Sequence, residues 1–351
     1  MKAIFNLTGR PGRFRRNLVV LGLLALTGWL PAFPAAAAKE PASITLPSGV
    51  TEREIQQALD GLPASGGEVI LPPEKISIRQ PVVLRRDNQT LRGSGTATIL
   101  RLADAANCPV LILGEPVNHP NRTVKHLRVA DLFIDGNRRN QQRELWRLAG
   151  EGSEIRNNGI TVQGVSDSSV ERVTCAACRS GGLVTTLGVK RLTVRGLTAF
   201  DNQFDGLACY YTTHSVFADL YLHDNPGAGI SLDLAFDHNV ITNAFLAGND
   251  LGIFMRSSRD NQFHNVTIDN SHHFGVFMAH AEQVTAGRVE PAPESECTQN
   301  AFTNLIAENC GSAAFRVNNL TCVNNVIIRP RFGGNRKGNL SLAGPDLVTV
   351  Q

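Results

Sequence analysis

The sequence predicts an all-β parallel β-helix, a solenoid whose coils are about 23 residues long. Three observations predict it. A glycine followed by alternating apolar residues returns at a near-constant interval, each interval holds a second short run rich in Val, Ile, Phe and Thr, and Asn, Asp and Gly separate the runs. The glycines are 159, 182, 206, 229, 252 and 275, with Ala314 closing the series, so the steps are 23, 24, 23, 23, 23 and 39. Fixed self-similarity over this many copies is the mark of a stacked solenoid.

Residues 1–38 read as a secretory leader. Lys2, Arg10, Arg13, Arg15 and Arg16 precede the apolar run Leu18–Leu30, and small residues then lead to a cleavage point after Ala38. The expectation is export to the periplasm or outside the cell, by the general or the twin-arginine route, with no membrane contact once the leader is gone; an uncleaved anchor is the alternative. The leader carries five basic residues and no acidic ones, so its removal moves the formal net charge from +3 to −2. The alkaline pI therefore gives no reason to expect a nucleic-acid partner.

The rest, 39–351, reads as a single β-helix domain. Thr51-Glu52-Arg53-Glu54 is a capping box that opens a short helix over 51–62, placed to cover the open end of the core. "GGEVILPPEKISI" and the segment after it read as strands and turns, and the glycines of "RGSGTAT" as a turn. "NRRNQQRELWRLAGEGSEIRNN" (137–158) interrupts the early coils and is expected as an excursion carrying Trp146. Regular coils follow over 159–330. The excess of 16 residues in the last step is a polar loop within 281–299. Asn202, Asn225, Asn249, Asn270 and Asn309 recur before the glycines and are expected to stack at one corner. A leucine-rich repeat is the runner-up, suggested by "LYLHDN" (220–225), but the segments that should be helical are strand-like.

Seven cysteines leave at least one unpaired. "CAAC" (175–178) lacks a second Cys pair or a His at finger spacing, so two buried small residues are expected rather than zinc or redox chemistry. Cys209 follows the inward positions and is expected to be a buried free thiol.

"EIQQALDGLPASGGEVILPPEKISI" and "LFIDGNRRN" are similar to the entry segment and an early coil of the right-handed parallel β-helix superfamily of pectate lyases, polygalacturonases and alginate C5-epimerases. The resemblance covers roughly residues 42 to 330. It implies a right-handed, single-stranded solenoid and an exported protein that meets polysaccharide. It does not extend to a catalytic motif. Phe204-Asp205-Gly206 matches the first polygalacturonase element, but "PGAGI" (226–230) lacks the paired aspartates and "DLGIF" (250–254) the histidine. "FDGLACYYTTHSVF" (204–217) resembles the middle coil of the epimerases. Gly227-Ala228 stands in place of their Arg-His pair, and nothing matches their D-P-H-E.

Side chains alternate along a strand, so positions one and three after each glycine face the core and two and four face out, aligned about 4.8 Å apart between coils. The outward positions bring together Tyr210, Asp233 and Arg256 on consecutive coils, with Phe254 and Phe277 beside them and Arg316, Asn318 and Trp146 as further binding candidates. Aromatic faces stack on sugar rings, and a guanidinium clamps a uronate carboxylate. His273 and His280 are the nearest proton carriers. In lyase or epimerase chemistry Arg256 is expected as neutraliser of the uronate, His273 or His280 as base, Tyr210 as acid and Asp233 as the group that orients Arg256. An ordinary surface ladder is the structural alternative. Asp201 and Asp224 stack at one turn, where they would act as a hydrolytic pair or share a Ca²⁺; otherwise no metal or cofactor is expected.

The expected function is a lyase or C5-epimerase acting on an acidic polysaccharide. The alternatives are a non-catalytic carbohydrate-binding or envelope protein and a glycoside hydrolase. The partner is polysaccharide, and the chain is expected to be a monomer. As an exposed ladder pair, Asp233–Arg256 would contribute only about 0–1 kcal/mol, so Arg256→Ala would barely alter stability.

Overall fold

The computed structural model describes residues 42–142, 155–285, 288–291 and 295–351. The leader, Trp146 and much of the 281–299 loop lie outside the described residues or outside those whose side chains are described. The chain forms an all-β parallel solenoid of about 12 turns, each of about 24 residues, one more than the glycine spacing implies. Among the described residues helix is confined to a short segment and two single 3-10 turns. The α-helix is Glu52–Gly61, and the expected box caps it: the Thr51 hydroxyl accepts from the Glu54 amide at 3.4 Å, and the Glu54 carboxylate accepts from the Thr51 amide at 2.8 Å. Ile55 and Leu59 are its fully buried residues.

Ten strands stack into one parallel sheet, among them Leu207–Tyr210, Ala228–Asp233, Leu251–Arg256 and Val276–Ala279. A second sheet wraps the remaining sides of the coil. Short strands rich in β-branched residues suit this arrangement, because every coil covers its neighbour's backbone donors and acceptors. Positions one and three after each glycine are core: Ile230, Leu232, Ile253, Met255, Val276 and Met278 are all 0% exposed.

The glycines form one column, and close approach explains them. A Cβ on Gly252 would lie 2.5 Å from the Gly275 carbonyl oxygen, and one on Gly206 3.0 Å from that of Gly229.

The asparagines divide between two columns where one was expected. Asn202, Asn225 and Asn249 are buried and form a ladder: the Asn202 amide donates to Asn225 Oδ1 at 3.2 Å, and the Asn225 amide to Asn249 Oδ1 at 3.1 Å. Asn270 and Asn309 instead share the preceding corner with Asp201 and Asp224, at φ of 53°, 57°, 54° and 53°. That left-handed corner needs residues that tolerate positive φ, and Asn and Asp do so better than most. A second ladder, not expected from sequence, runs along another corner. Ser215, Asn239, Asn261 and Asn300 each donate an amide to the next side-chain oxygen, ending on Asn325, at 2.8 to 3.2 Å. The tetrapeptides "FDHN", "SRDN", "CTQN" and "CVNN", which end at 239, 261, 300 and 325, were its sequence signal. Asn225→Ala should cost about 1–3 kcal/mol for each buried donor left unmade. Chemical denaturation measures it, and a loss below about 0.5 kcal/mol would show that the ladder adds nothing net.

Cys209 is free and 0% exposed, as expected, and burial pushes its thiol up to about 12. Cys175 and Cys178 are also fully buried. The late insertion includes an antiparallel hairpin, Glu282–Thr285 with Arg288–Pro291.

Candidate functional site

Sheet register brings the expected outward residues together. Tyr210 pairs with Asp233, Phe254 with Phe277, and Arg256 with Ala279 on the next coil. The Arg256 guanidinium donates to Asp233 Oδ2 through Nη2 and, at 2.8 Å, through Nε. The same guanidinium lies 5.6 Å from the Phe254 ring centroid. Phe254 and Phe277 stack nearly parallel, 8° apart with centroids at 5.9 Å, and Phe274 tilts against Phe277 at 5.4 Å.

This face is less open than alternation alone implies. Tyr210 is 6% exposed and Asp233 2%, whereas the Arg256 side chain keeps 25%. Arg156 stands over the Tyr210 ring at 5.8 Å, and further towards the N-terminus Gln163 donates to the Val117 carbonyl oxygen at 2.7 Å. Segments distant in sequence thus fold across outward-facing positions. The Asp233–Arg256 pair, with its carboxylate buried and its guanidinium half-buried, is not the exposed ladder expected, which changes its energetics. Phe254 and Phe277 are half-buried.

A pocket of about 180 Å³ opens here, lined by Arg156, Phe204, Asp205, Tyr210, Ser231, Asp233 and Phe254. Asp205 also accepts the Ala228 amide at 2.7 Å, tying the pocket wall to the next coil. Arg156 has no sequence signal, because its place over Tyr210 follows only from how the chain crosses the sheet. Larger hollows elsewhere, such as the one of about 520 Å³ along Lys75, Arg79 and Arg101, lie away from this face.

The histidines stand apart from the pocket. His280 follows Ala279, three coils beyond Tyr210, which at about 4.8 Å per coil is about 14 Å away. It is tied to Thr321 Oγ1 at 3.0 Å and to the Asn319 side-chain amide at 3.0 Å. His273 lies at the entry to the same coil, exposed, with Nδ1 against Asp250 Oδ1 at 2.6 Å. The sheet register thus does not bring Tyr210 together with either histidine. Arg316 and Asn318 lie at the far end of the face, bonded to each other at 3.0 Å, with Arg316 also on Ser341 at 2.7 Å.

The carboxylate pair expected at the corner is otherwise engaged. Asp201 accepts Arg138 at 2.6 Å, and Asp224 holds His223 Nδ1 at 2.7 Å. Both occupy left-handed corners, which accounts for an aspartate at each position.

Residues 133–335 match the family model described as NosD, periplasmic copper-binding protein. In sequence the chain matches none of the curated proteins. Its fold is similar to ORF18 of Geobacillus virus E2, at 13% identity and a TM-score of 0.68, over 88% of this chain and 61% of that one. It is also similar to the mannuronan C-5 epimerase AlgE4 A-module of Azotobacter vinelandii, at 18% identity and a TM-score of 0.56, over 86% and 95% of the two chains. A third likeness is to an alginate lyase from Paenibacillus sp. str. FPU-7, at 11% identity and a TM-score of 0.60, over 88% and 99%. At these identities the likenesses establish the fold.

Proposed function

We infer, for a chain that belongs to the NosD family of right-handed β-helix proteins, an exported protein that binds and processes an acidic polysaccharide across its ten-stranded sheet. The observation that carries this reading is the parallel Phe254–Phe277 pair with the Arg256 cation over the Phe254 ring, beside a pocket that contains a phenol. Rings laid in sequence along a sheet stack on sugar faces, and a guanidinium selects carboxylate-bearing sugars. The alginate-active neighbours, the epimerase and the lyase, agree with a uronate.

Removing a C5 proton places negative charge on the uronate carboxylate. Arg256 and Arg156 are the cations nearest the pocket, and they stabilise that charge as it develops. Tyr210 is the proton carrier, and Asp233 fixes the guanidinium through its bond to Arg256. Departure of the neighbouring glycosidic oxygen then gives a lyase, with a C4–C5 double bond. Delivery of a proton to the opposite face of C5 by a solvent water, with Tyr210 keeping the proton it removed, gives an epimerase. In place of His273 or His280, the bases expected from sequence, Tyr210 takes the proton from C5.

Copper, which the family description names, finds no matching donor set. Among the described residues no three His, Cys, Asp or Glu side chains are arranged to hold a metal. Met255 and Met278 pair inside the core at 0% exposure. Burial also raises the Cys209 thiol, whereas copper binds thiolate. No step of the proposed chemistry runs through copper.

The second reading, a carbohydrate binder without turnover, draws on the burial of Tyr210 and Asp233. Incubation of the full protein with a panel of polyuronates tests both: ultraviolet absorbance of an unsaturated product marks a lyase, and a changed C5 configuration by proton NMR marks an epimerase. Binding without either leaves the binder. Phe254→Ala should weaken polysaccharide binding about tenfold, equivalent to about 1.4 kcal/mol. Isothermal titration measures it, and an unchanged Kd would remove the rings from the site.

A further inference from the structure

We propose that Cys297 and Cys322 form a disulfide that locks the chain, where it rejoins the solenoid after the hairpin insertion, to the coil beyond. The strand pairing of Ala301 with Val326 carries the two residues, each four positions earlier, onto neighbouring coils in the same register. The Cys297 amide donates to Cys322 Sγ at 3.4 Å, and the Cys297 thiol lies 3.4 Å from the Ala279 carbonyl oxygen. Coils stack about 4.8 Å apart, within the Cα separation of roughly 4.4–6.8 Å that a disulfide spans.

Local structure favours closure. Cys297 begins a two-residue strand, Cys297–Thr298, paired with Ser258–Arg259 on the coil before. Cys322 ends a turn, its amide donating to the Asn319 carbonyl oxygen at 3.2 Å. A small rotation of Cys322 thus costs no ladder hydrogen bond. Both residues are 0% exposed, so exchange with an external disulfide or a reductant proceeds through local opening of the turn that ends at Cys322. Cys209 has no such partner: its neighbours by register are Thr185 and Leu232.

The two thiols are chemically unequal. The Cys297 thiol and then the Cys297 amide stabilise the Cys322 thiolate and hold it below the ordinary range, against burial. Burial raises Cys297. Cys322 is therefore the attacking thiolate. It attacks one sulfur of an external disulfide, forms a mixed disulfide and releases one carrier thiolate. Cys297 then loses its proton and attacks Cys322 Sγ, the bond to the carrier breaks, and the second carrier thiolate leaves. Two protein thiols are oxidised by two electrons, and the external disulfide is reduced to two thiols.

The full protein, incubated with oxidised glutathione, denatured with an alkylating reagent and mapped without reductant, tests this. The expected product is a cross-linked peptide pair through Cys297 and Cys322, lighter by two hydrogens, with the other five cysteines alkylated. The melting temperature should fall by several degrees on adding reductant, a response absent in Cys297→Ser. Alkylation of all seven cysteines, a link to any other cysteine, or a copper ion retained by the pair in place of the bond would overturn the proposal. If Cys297→Ser fails to fold, the map of the unsubstituted protein decides alone.

Discussion

Arg256→Ala should lower the free energy of unfolding by about 3 kcal/mol, the low end of the cost of stripping one partner from a buried ion pair. Asp233 is 2% exposed, and Arg256 supplies two of its hydrogen bonds. Without the arginine, a carboxylate remains in a pocket walled by Tyr210, Phe204 and Phe254. The Leu234 amide still reaches Oδ1 at 2.8 Å, which places the cost at the low end of the range. Arg256→Lys should recover only part, because an ammonium cannot reproduce the guanidinium's paired bonds. The double change Asp233→Leu with Arg256→Met should return stability close to that of the unsubstituted protein, since apolar groups of similar volume replace a buried pair at little net cost. Urea unfolding with an unchanged m value measures all three. A loss below about 1 kcal/mol for Arg256→Ala would restore the exposed-ladder reading. It would also return the arginine to purely functional duty.

Tyr210→Phe should lower turnover of a polyuronate by about 10²–10⁴, the usual contribution of a positioned proton carrier, with substrate binding unchanged. The phenyl ring still fills the space beneath Arg156, so the substitution deletes the hydroxyl without opening the roof. Arg256→Ala and Tyr210→Phe together separate the two readings. An enzyme loses binding and stability with the first and only rate with the second, whereas a binder is indifferent to the second. Equal loss of affinity in Tyr210→Phe would mean that the hydroxyl holds ligand or structure, and the assignment of proton transfer to Tyr210 would be wrong.

The repeat was legible because a solenoid writes its geometry into sequence. Each coil meets the same neighbours, so a position that must be glycine or apolar in one coil must be so in the next. The glycine column, the buried positions one and three, the capping box at Thr51 and the adjacency of Tyr210, Asp233 and Arg256 all follow from period and alternation. Corner chemistry was half legible. Asn and Asp mark turns, but one residue of offset decides whether an asparagine joins the buried ladder, as Asn249 does, or takes the left-handed corner, as Asn270 does.

Burial of the site belonged to the tertiary structure alone. Alternation states which way a side chain points from the coil. It does not state what then folds over it, and Arg156 and the segment near Val117 reach their places by crossing the sheet. The same holds for His273 and His280, whose distance from Tyr210 counts coils rather than residues. The sequence by itself determined the solenoid, its inner lining and the row of outward side chains, because those depend on local period. Only the tertiary structure decided that Asp233 is buried in a pocket wall with Arg256 half-buried against it, because desolvation depends on every segment that reaches the site.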